Sequence, residues 1–342
     1  MPVKTSVFSV TDHYPEGQRS LAEFYAQIVD EIVYAEELGF ANYFVAEHHF
    51  HEYGVVAAPD ALLAAAAAGT RRIGLGVAAA ILPFHNPLLV AERYAQLDQL
   101  SHGRLALGVG SGYLRHEFDG FRIGPWEKRF RFDEALEVLT RAWRGEPFSY
   151  HGLYHHVDNT RLAITPYQKP QPPLWVAVLR AEAAYHVGRQ GRNIMLMPYA
   201  TCDTIRELEE VITSYRAGRR DAGFEGPGDV AVGLHTYVSG SAAATREEVE
   251  PALDLYVRTR LYAKRRSYDE LDRAGLALFG DGAEVTRRLR ALQDTGLTQV
   301  MILTNFGDLP GPAVQASMRR FAEEVMPAVQ DREPPGRAAN SS

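Results

Sequence analysis

Tyr43-Phe44-Val45-Ala46-Glu47-His48-His49-Phe50-His51-Glu52-Tyr53-Gly54 is an apolar run that breaks into consecutive ionisable side chains. Aromatic and β-branched residues followed by acidic and imidazole groups read as a buried strand whose last residues emerge into a cavity. Barrel enzymes place their chemistry at such strand ends. Side chains alternate across a strand, so Glu47 and His49 are expected on one face and His48 on the other. Adjacent histidines on opposite faces do not chelate one ion, and the i, i+4 helical spacing of a zinc motif is absent, so no metal is expected. A competing reading at this point is of histidines merely satisfied at a strand end.

Outward from that stretch the chain alternates. Val7 to Val10 reads as a short strand, Leu21 to Leu38 as an amphipathic helix stopped by Gly39, and Pro59 opens a helix through Ala61 to Ala68. Strand Ile73 to Leu82 follows. Asn86 before Pro87 is an N-cap signal for a helix over Leu88 to Leu100, and strand Leu105 to Val109 runs into the turn Gly110-Ser111-Gly112. After a helix over Lys128 to Arg144, the segment Phe148 to Val157 alternates around Gly152 as a small hairpin. The pattern resumes with strands Trp175 to Leu179 and Ile194 to Met197, a capping box at Thr204 and Glu207, strand Val230 to Ser239, and a cap at Thr245 with Glu248. Helix Ala283 to Asp294, strand Gln299 to Thr304 and a helix ending at Val325 complete it. Eight strands each followed by a helix is the count of a (β/α)8 TIM barrel, an α/β fold, here with a hairpin insertion after the fourth helix. Alternation alone also suits an open doubly wound sheet. The expected organisation is one barrel domain over 1–330 and a loose tail over 331–342, where Pro, Gly, Ser and charge do not repay ordering.

Composition narrows the partners. The 342 residues are 46% hydrophobic and 23% charged, an ordinary globular balance with enough apolar residues for an extensive core. A net charge of −7 and a sequence pI ≈ 6.0 argue against nucleic acid as the main partner. One cysteine, Cys202, excludes an internal disulfide and suits a reducing compartment. No secretory signal and no membrane-length apolar run are present, so the expected location is the cytoplasm, with no membrane partner.

Gly74-Leu75-Gly76 superficially fits a dinucleotide fingerprint, yet the glycines lie within a strand and Pro83 follows where a helix should start. Ala78-Ala79-Ala80 near that strand's end leaves room for a flat ligand. Gly108 to Tyr113 is a strand end where backbone approaches a ligand closely, or a plain tight turn. Arg129 and Arg180 offer charge to a phosphate, or are solvated. No nucleophile elbow appears, and His151, His155 and His156 read as hairpin surface.

Taken together these motifs resemble the bacterial luciferase-like, flavin-dependent monooxygenases over nearly the whole chain, from Val7 to about Asp331. The residues that carry the resemblance are Glu47-His48-His49-Phe50 with Glu52-Tyr53-Gly54, Ala78-Ala79 ahead of Leu82-Pro83, Leu97-Asp98-Gln99 with Ser101, Gly103 and Arg104, and near the end Ala316-Ser317-Met318, Phe321 and Val325-Met326-Pro327. The resemblance implies a catalytic, proton-handling role for His48 beside a C4a-(hydro)peroxyflavin, for which imidazole suits by its pKa near neutrality. It also implies a non-proline cis peptide at Ala78-Ala79 and a phosphate-binding role for Arg129.

Two departures bear on the cofactor and a third on the substrate. Where luciferases carry Cys-Arg after the fourth strand this chain has Gly110-Ser111, and their Glu-Ser after the next strand becomes Leu179-Arg180, so Arg180 is expected to replace the missing phosphate arginine. The segment between Tyr256 and Leu278 stands where luciferases have a mobile lid and is shorter. The expected function is oxygenation of a small organic substrate with O2 and reduced FMN, supplied by a separate flavin reductase because no nicotinamide fingerprint is present. Glu47, His49, Phe50, Tyr113 and Phe121 are candidates for the substrate pocket. A deazaflavin (F420)-dependent oxidoreductase or a non-catalytic flavin-binding subunit are the rival readings. The small-residue face of the helix over Ala61 to Ala68 is the expected homodimer contact.

Overall fold

The computed structural model describes residues 3–17, 19–52, 54–259 and 265–330; the expected tail at 331–342 lies outside the described residues. In chain order the first elements are β1 (Lys4–Ser9), α1 (Leu21–Glu37), β2 (Asn42–Val45), α2 (Pro59–Gly69), β3 (Gly74–Ile81), α3 (Pro87–Leu100), β4 (Leu105–Gly110), α4 (Arg115–Phe121), α5 (Lys128–Ala142), β5 (Phe148–His151) and β6 (His156–Thr160). There follow β7 (Leu174–Ala177), α6 (Ala181–Arg189), β8 (Asn193–Leu196), α7 (Pro198–Thr201), α8 (Ile205–Asp221), β9 (Val230–Val238), α9 (Ala242–Arg258), α10 (Tyr268–Ala274), β10 (Leu278–Gly280), α11 (Gly282–Asp294), β11 (Gln299–Leu303) and α12 (Gly311–Arg320). A π turn at Phe321–Val325 then leads into α13 (Met326–Gln330).

Strands β1, β2, β3, β4, β7, β8, β9 and β11 pair in that order, all parallel, and β11 returns to β1. The β8–β9 pairing, Ile194 opposite Val230 through Leu196 opposite Val232, closes the ring and rules out the open sheet. Every residue of β4 and of β9 is buried, because helices cover the outer face while the strands pack inward on one another. The interior is tight enough to need missing side chains. A Cβ at Gly76 would fall on the Phe44 ring, and one at Gly108 on the Met195 thioether, so the glycines that mimic a dinucleotide motif are packing residues.

The expected hairpin is β5 and β6, antiparallel with Tyr150 opposite Val157. The Glu134 carboxylate of α5 seats its turn by accepting the backbone N–H groups of Leu153, Tyr154 and His155 at 2.7, 2.9 and 3.1 Å. Four elements differ from expectation. β10, three residues too short to show a period, pairs with the second half of β9 after β11 has paired with the first. α4, α7 and α10 are helices of seven, four and seven residues, none of them anticipated from sequence. The Thr245 cap is also corrected: the helix starts earlier, at N-cap Ser241, whose Oγ accepts from Ala244 N at 3.2 Å, and the fully buried Thr245 hydroxyl turns back to Ser241 O at 3.0 Å. In the segment expected as a short lid, residues 260–264 lie outside the described residues.

One charged side chain is locked between helix and barrel. Glu31 of α1 is buried, accepting from Tyr43 Oη at 2.7 Å and from Asn305 Nδ2 at 3.0 Å. Burial raises its carboxyl from the ordinary 4.5 to about 7, against the opposing pull of those two hydrogen bonds and of Arg19. The folded protein therefore holds a proton that the unfolded chain has released over that interval, and stability falls as pH rises from 4.5 to about 7. At roughly 1.4 kcal/mol per pKa unit the loss is on the order of 3 kcal/mol. Glu31→Gln, with Asn305 turned to offer its carbonyl, is expected to abolish that difference. Denaturant unfolding of both proteins at about pH 5 and about pH 8 checks it, and parallel pH profiles would contradict it.

Candidate active site

The C-terminal ends of the strands carry the ionisable groups, as expected for a barrel. β2 stops at Val45, so the chain from Ala46 to His49 runs past the strand, and regular alternation ends with it. Glu47 and His49 do meet, Glu47 Oε1 to His49 Nε2 at 3.0 Å, but Glu47 and His48 both line the same cavity, which corrects the expected division between two faces. Phe50, at φ +63°, turns the loop back, and at Gly54 a Cβ would stand 2.6 Å from His48 Cβ and 2.7 Å from its Cδ2. Only glycine lets the returning loop lie against the His48 ring.

Two carboxylates organise these imidazoles. Glu117, buried on α4, places Oε1 3.1 Å from His48 Nδ1 and accepts the His49 backbone N–H at 3.0 Å. Since a carboxylate accepts, His48 Nδ1 donates to Glu117 in this pair. Glu47 Oε1 also takes His85 Nε2 at 2.7 Å, while Oε2 accepts from Ile81 N at 3.3 Å. Burial alone would raise the Glu47 carboxyl, yet the bonds from His49 and His85 outweigh it and hold the group below its usual value. For His85 burial pulls down, but the Glu47 bond and charge prevail and the imidazole is raised. Glu47, His49 and His85 place ligand-type atoms within 4.8 Å of one another, the composition of a metal triad, at separations from Glu47 that are those of hydrogen bonds.

A mostly apolar cavity opens beside them. Glu47, His48, Ala78, Ala79, Gly110, Ser111, Tyr113 and Leu179 all line it, and the Ala78–Ala79 peptide is cis as the resemblance implies. Ser111, Ala177 and Leu179 are shared with an adjoining pocket that gathers Lys128 and Arg129 of the first turn of α5, Arg180 and Glu182 at the start of α6, and His186 from its last turn. Neither helix has a side-chain cap on its first turn, so backbone N–H groups and cations face one space. Arg129 also pairs with Asp133 at 2.7 Å.

His49, Phe50 and Phe121, expected on the pocket wall, do not line the cavity. They pack behind it, His49 edge-on to Phe121 at 4.8 Å, with Phe121 stacked on Phe84 at 4.7 Å; Phe50 is 63% exposed. Their apolar rings are used to support the histidine loop from outside. Sequence reasoning missed Glu117 and His85. The spacing of Leu114, Phe118 and Phe121 marks an apolar helical stripe, and Glu117, three residues after Leu114, falls on it: a lone carboxylate on an inward face was the available signal. His85 carried no comparable mark.

The luciferase-like monooxygenase family matches this chain over residues 3–299. Among solved structures, the monooxygenase RslO1 from Streptomyces bottropensis is similar, with a TM-score of 0.88 and 29% identity over 95% of this chain and 99% of that one. The oxygenase component of flavin-dependent trigonelline monooxygenase from Acinetobacter baylyi is 23% identical, over 92% of each chain. An F420-dependent glucose-6-phosphate dehydrogenase from Intrasporangium calvum is 32% identical over 51% of this chain and 55% of that protein. Among the described residues no helix is long and apolar enough to cross a membrane. A closed parallel barrel with an imidazole-bearing second strand end, matched along nearly its full length, places the chain in the luciferase-like monooxygenase family.

Proposed function

We propose that the protein is an FMN-dependent monooxygenase that uses reduced FMN and O2 to oxygenate a small organic substrate. The observation that carries this reading is an apolar slot walled by Ala78, Ala79, Gly110 and Ala177 and joined, through Ser111 and Leu179, to a cationic pocket. A flat ring system bearing a phosphate has that shape and charge, and the residues present fit it. Reduced FMN, if held there, would supply the two electrons needed to activate O2. In the chain itself, Glu117 orients His48, whose imidazole takes or returns a proton at the cavity wall. The apolar lining excludes water from the reacting atoms. Arg180 and Arg129, with the uncapped first turns of α6 and α5, hold the phosphate. The trigonelline relative is an oxygenase component, which supports a separate reductase as the source of reduced flavin. The F420-dependent relative favours a second reading, hydride transfer with a deazaflavin in the same slot.

Two outcomes test this. Flavin fluorescence titration is expected to show Arg180→Ala weakening FMN about tenfold or more while leaving riboflavin unchanged, the size of a lost charge-assisted hydrogen bond. The exposed Arg206→Ala serves as control, and equal FMN affinity in both variants removes Arg180 from the site.

Mixing anaerobic protein plus reduced FMN with oxygenated buffer is expected to give slow, biphasic flavin reoxidation, changed by His48→Ala and by Glu117→Ala at unaltered FMN affinity and restored in part by Glu117→Gln. Reoxidation identical to free flavin, with tight F420 binding, would favour the deazaflavin reading.

A homodimer is proposed through α2, where Ala61, Ala65 and Ala68 are exposed. Light scattering is expected to find Ala65→Glu monomeric, and a variant still dimeric would move the interface elsewhere.

A further inference from the structure

His235 of β9 is fully buried, and among the described residues neither ring nitrogen has a hydrogen-bond partner. Three aromatic rings surround it edge to face: Tyr256 at 4.8 Å, Tyr199 at 5.1 Å and Phe306 at 5.1 Å. Burial lowers its pKa to about 3, so at neutral pH the imidazole carries one N–H and one lone pair and no charge. Leaving such a group unmet is unfavourable, and a phenylalanine would satisfy the same aromatic packing without that cost. The histidines of the loop after β2 each meet a carboxylate, whereas this one is set among aromatic rings.

Its position gives the orphan a use. Tyr199 and Tyr256 both line the large cavity, so His235 stands one ring behind the cavity wall. The same cavity is also lined by Phe8, Met195, Met197 and Met301, apolar and adaptable in shape. We propose that His235 is the polar recognition residue of the substrate cavity: displacement of a tyrosine ring opens it to the hydroxyl or carbonyl group of an otherwise apolar, ring-bearing substrate. The inference rests on the reading of this cavity as the site of an organic substrate. It assigns that substrate's chemistry, a hydrocarbon ring system with one oxygen function directed at β9.

The experiment uses the full chain and two probes of one shape, 2-naphthol and 2-methylnaphthalene, titrated by intrinsic fluorescence into wild type and His235→Phe. The ratio of their dissociation constants is expected to shift by about tenfold toward the hydrocarbon in the variant, the worth of one buried hydrogen bond. The variant should melt no lower than wild type, because the orphan has gone. In wild type labelled with 15N-histidine, the His235 ring resonances should move with 2-naphthol and stay with 2-methylnaphthalene. An unchanged ratio, or unmoved resonances, overturns the proposal, and the spectrum decides even if the variant does not fold. FMN titration of the same samples reports separately on the flavin reading, since loss of FMN binding with the naphthol response intact would fault the cofactor and leave His235 in place.

Discussion

A parallel sheet that closes on itself has no free edge, and its eight strands all point the same way. Closure brings every strand end to one rim, and it also limits what fits inside. Phe44, Met195 and Met197 fill the interior only because Gly76, Gly108 and Gly233 face them without side chains. That constraint reaches the site. The same shortage of side chains continues along β3 and β4 as Ala78, Ala79 and Gly110, where the interior becomes a cavity. Packing and binding are thus two stretches of one device.

Ionisable groups at the rim are handled in two ways. Around β2, each buried imidazole is matched to a carboxylate: Glu117 to His48, Glu47 to His49 and His85. These bonds compensate the loss of water and lock orientation, which is what a proton-handling group needs. Across the barrel His235 is left unmatched, which suits a group whose partner arrives from outside. The contrast within one rim makes the missing partner informative.

The strands were legible because most are long enough to carry a period and are separated by residues with strong local chemistry. Asn86 before Pro87 capped its helix as read, accepting from Leu88 and Leu89, and Gly39 followed its helix at φ +84°. The barrel count therefore held, and the residues read as lining a flavin slot converge. What was not legible depended on contact at a distance. Glu117 lies 69 residues from His48 on a seven-residue helix, and β10 is defined only by its partner β9. Phe50 and Phe121 were misplaced for a related reason: adjacency in sequence to His49 does not say which side of the loop an aromatic ring takes once the strand has ended.

The seat of the β5–β6 hairpin carries a further meaning. One carboxylate, Glu134, grips three consecutive backbone N–H groups and no side chain. Such a clasp is indifferent to the identity of residues 153–155, provided none is proline. The tip of the hairpin is accordingly tied through its backbone to the helix that carries Arg129, and the exposed Leu153 side chain takes no part in that tie.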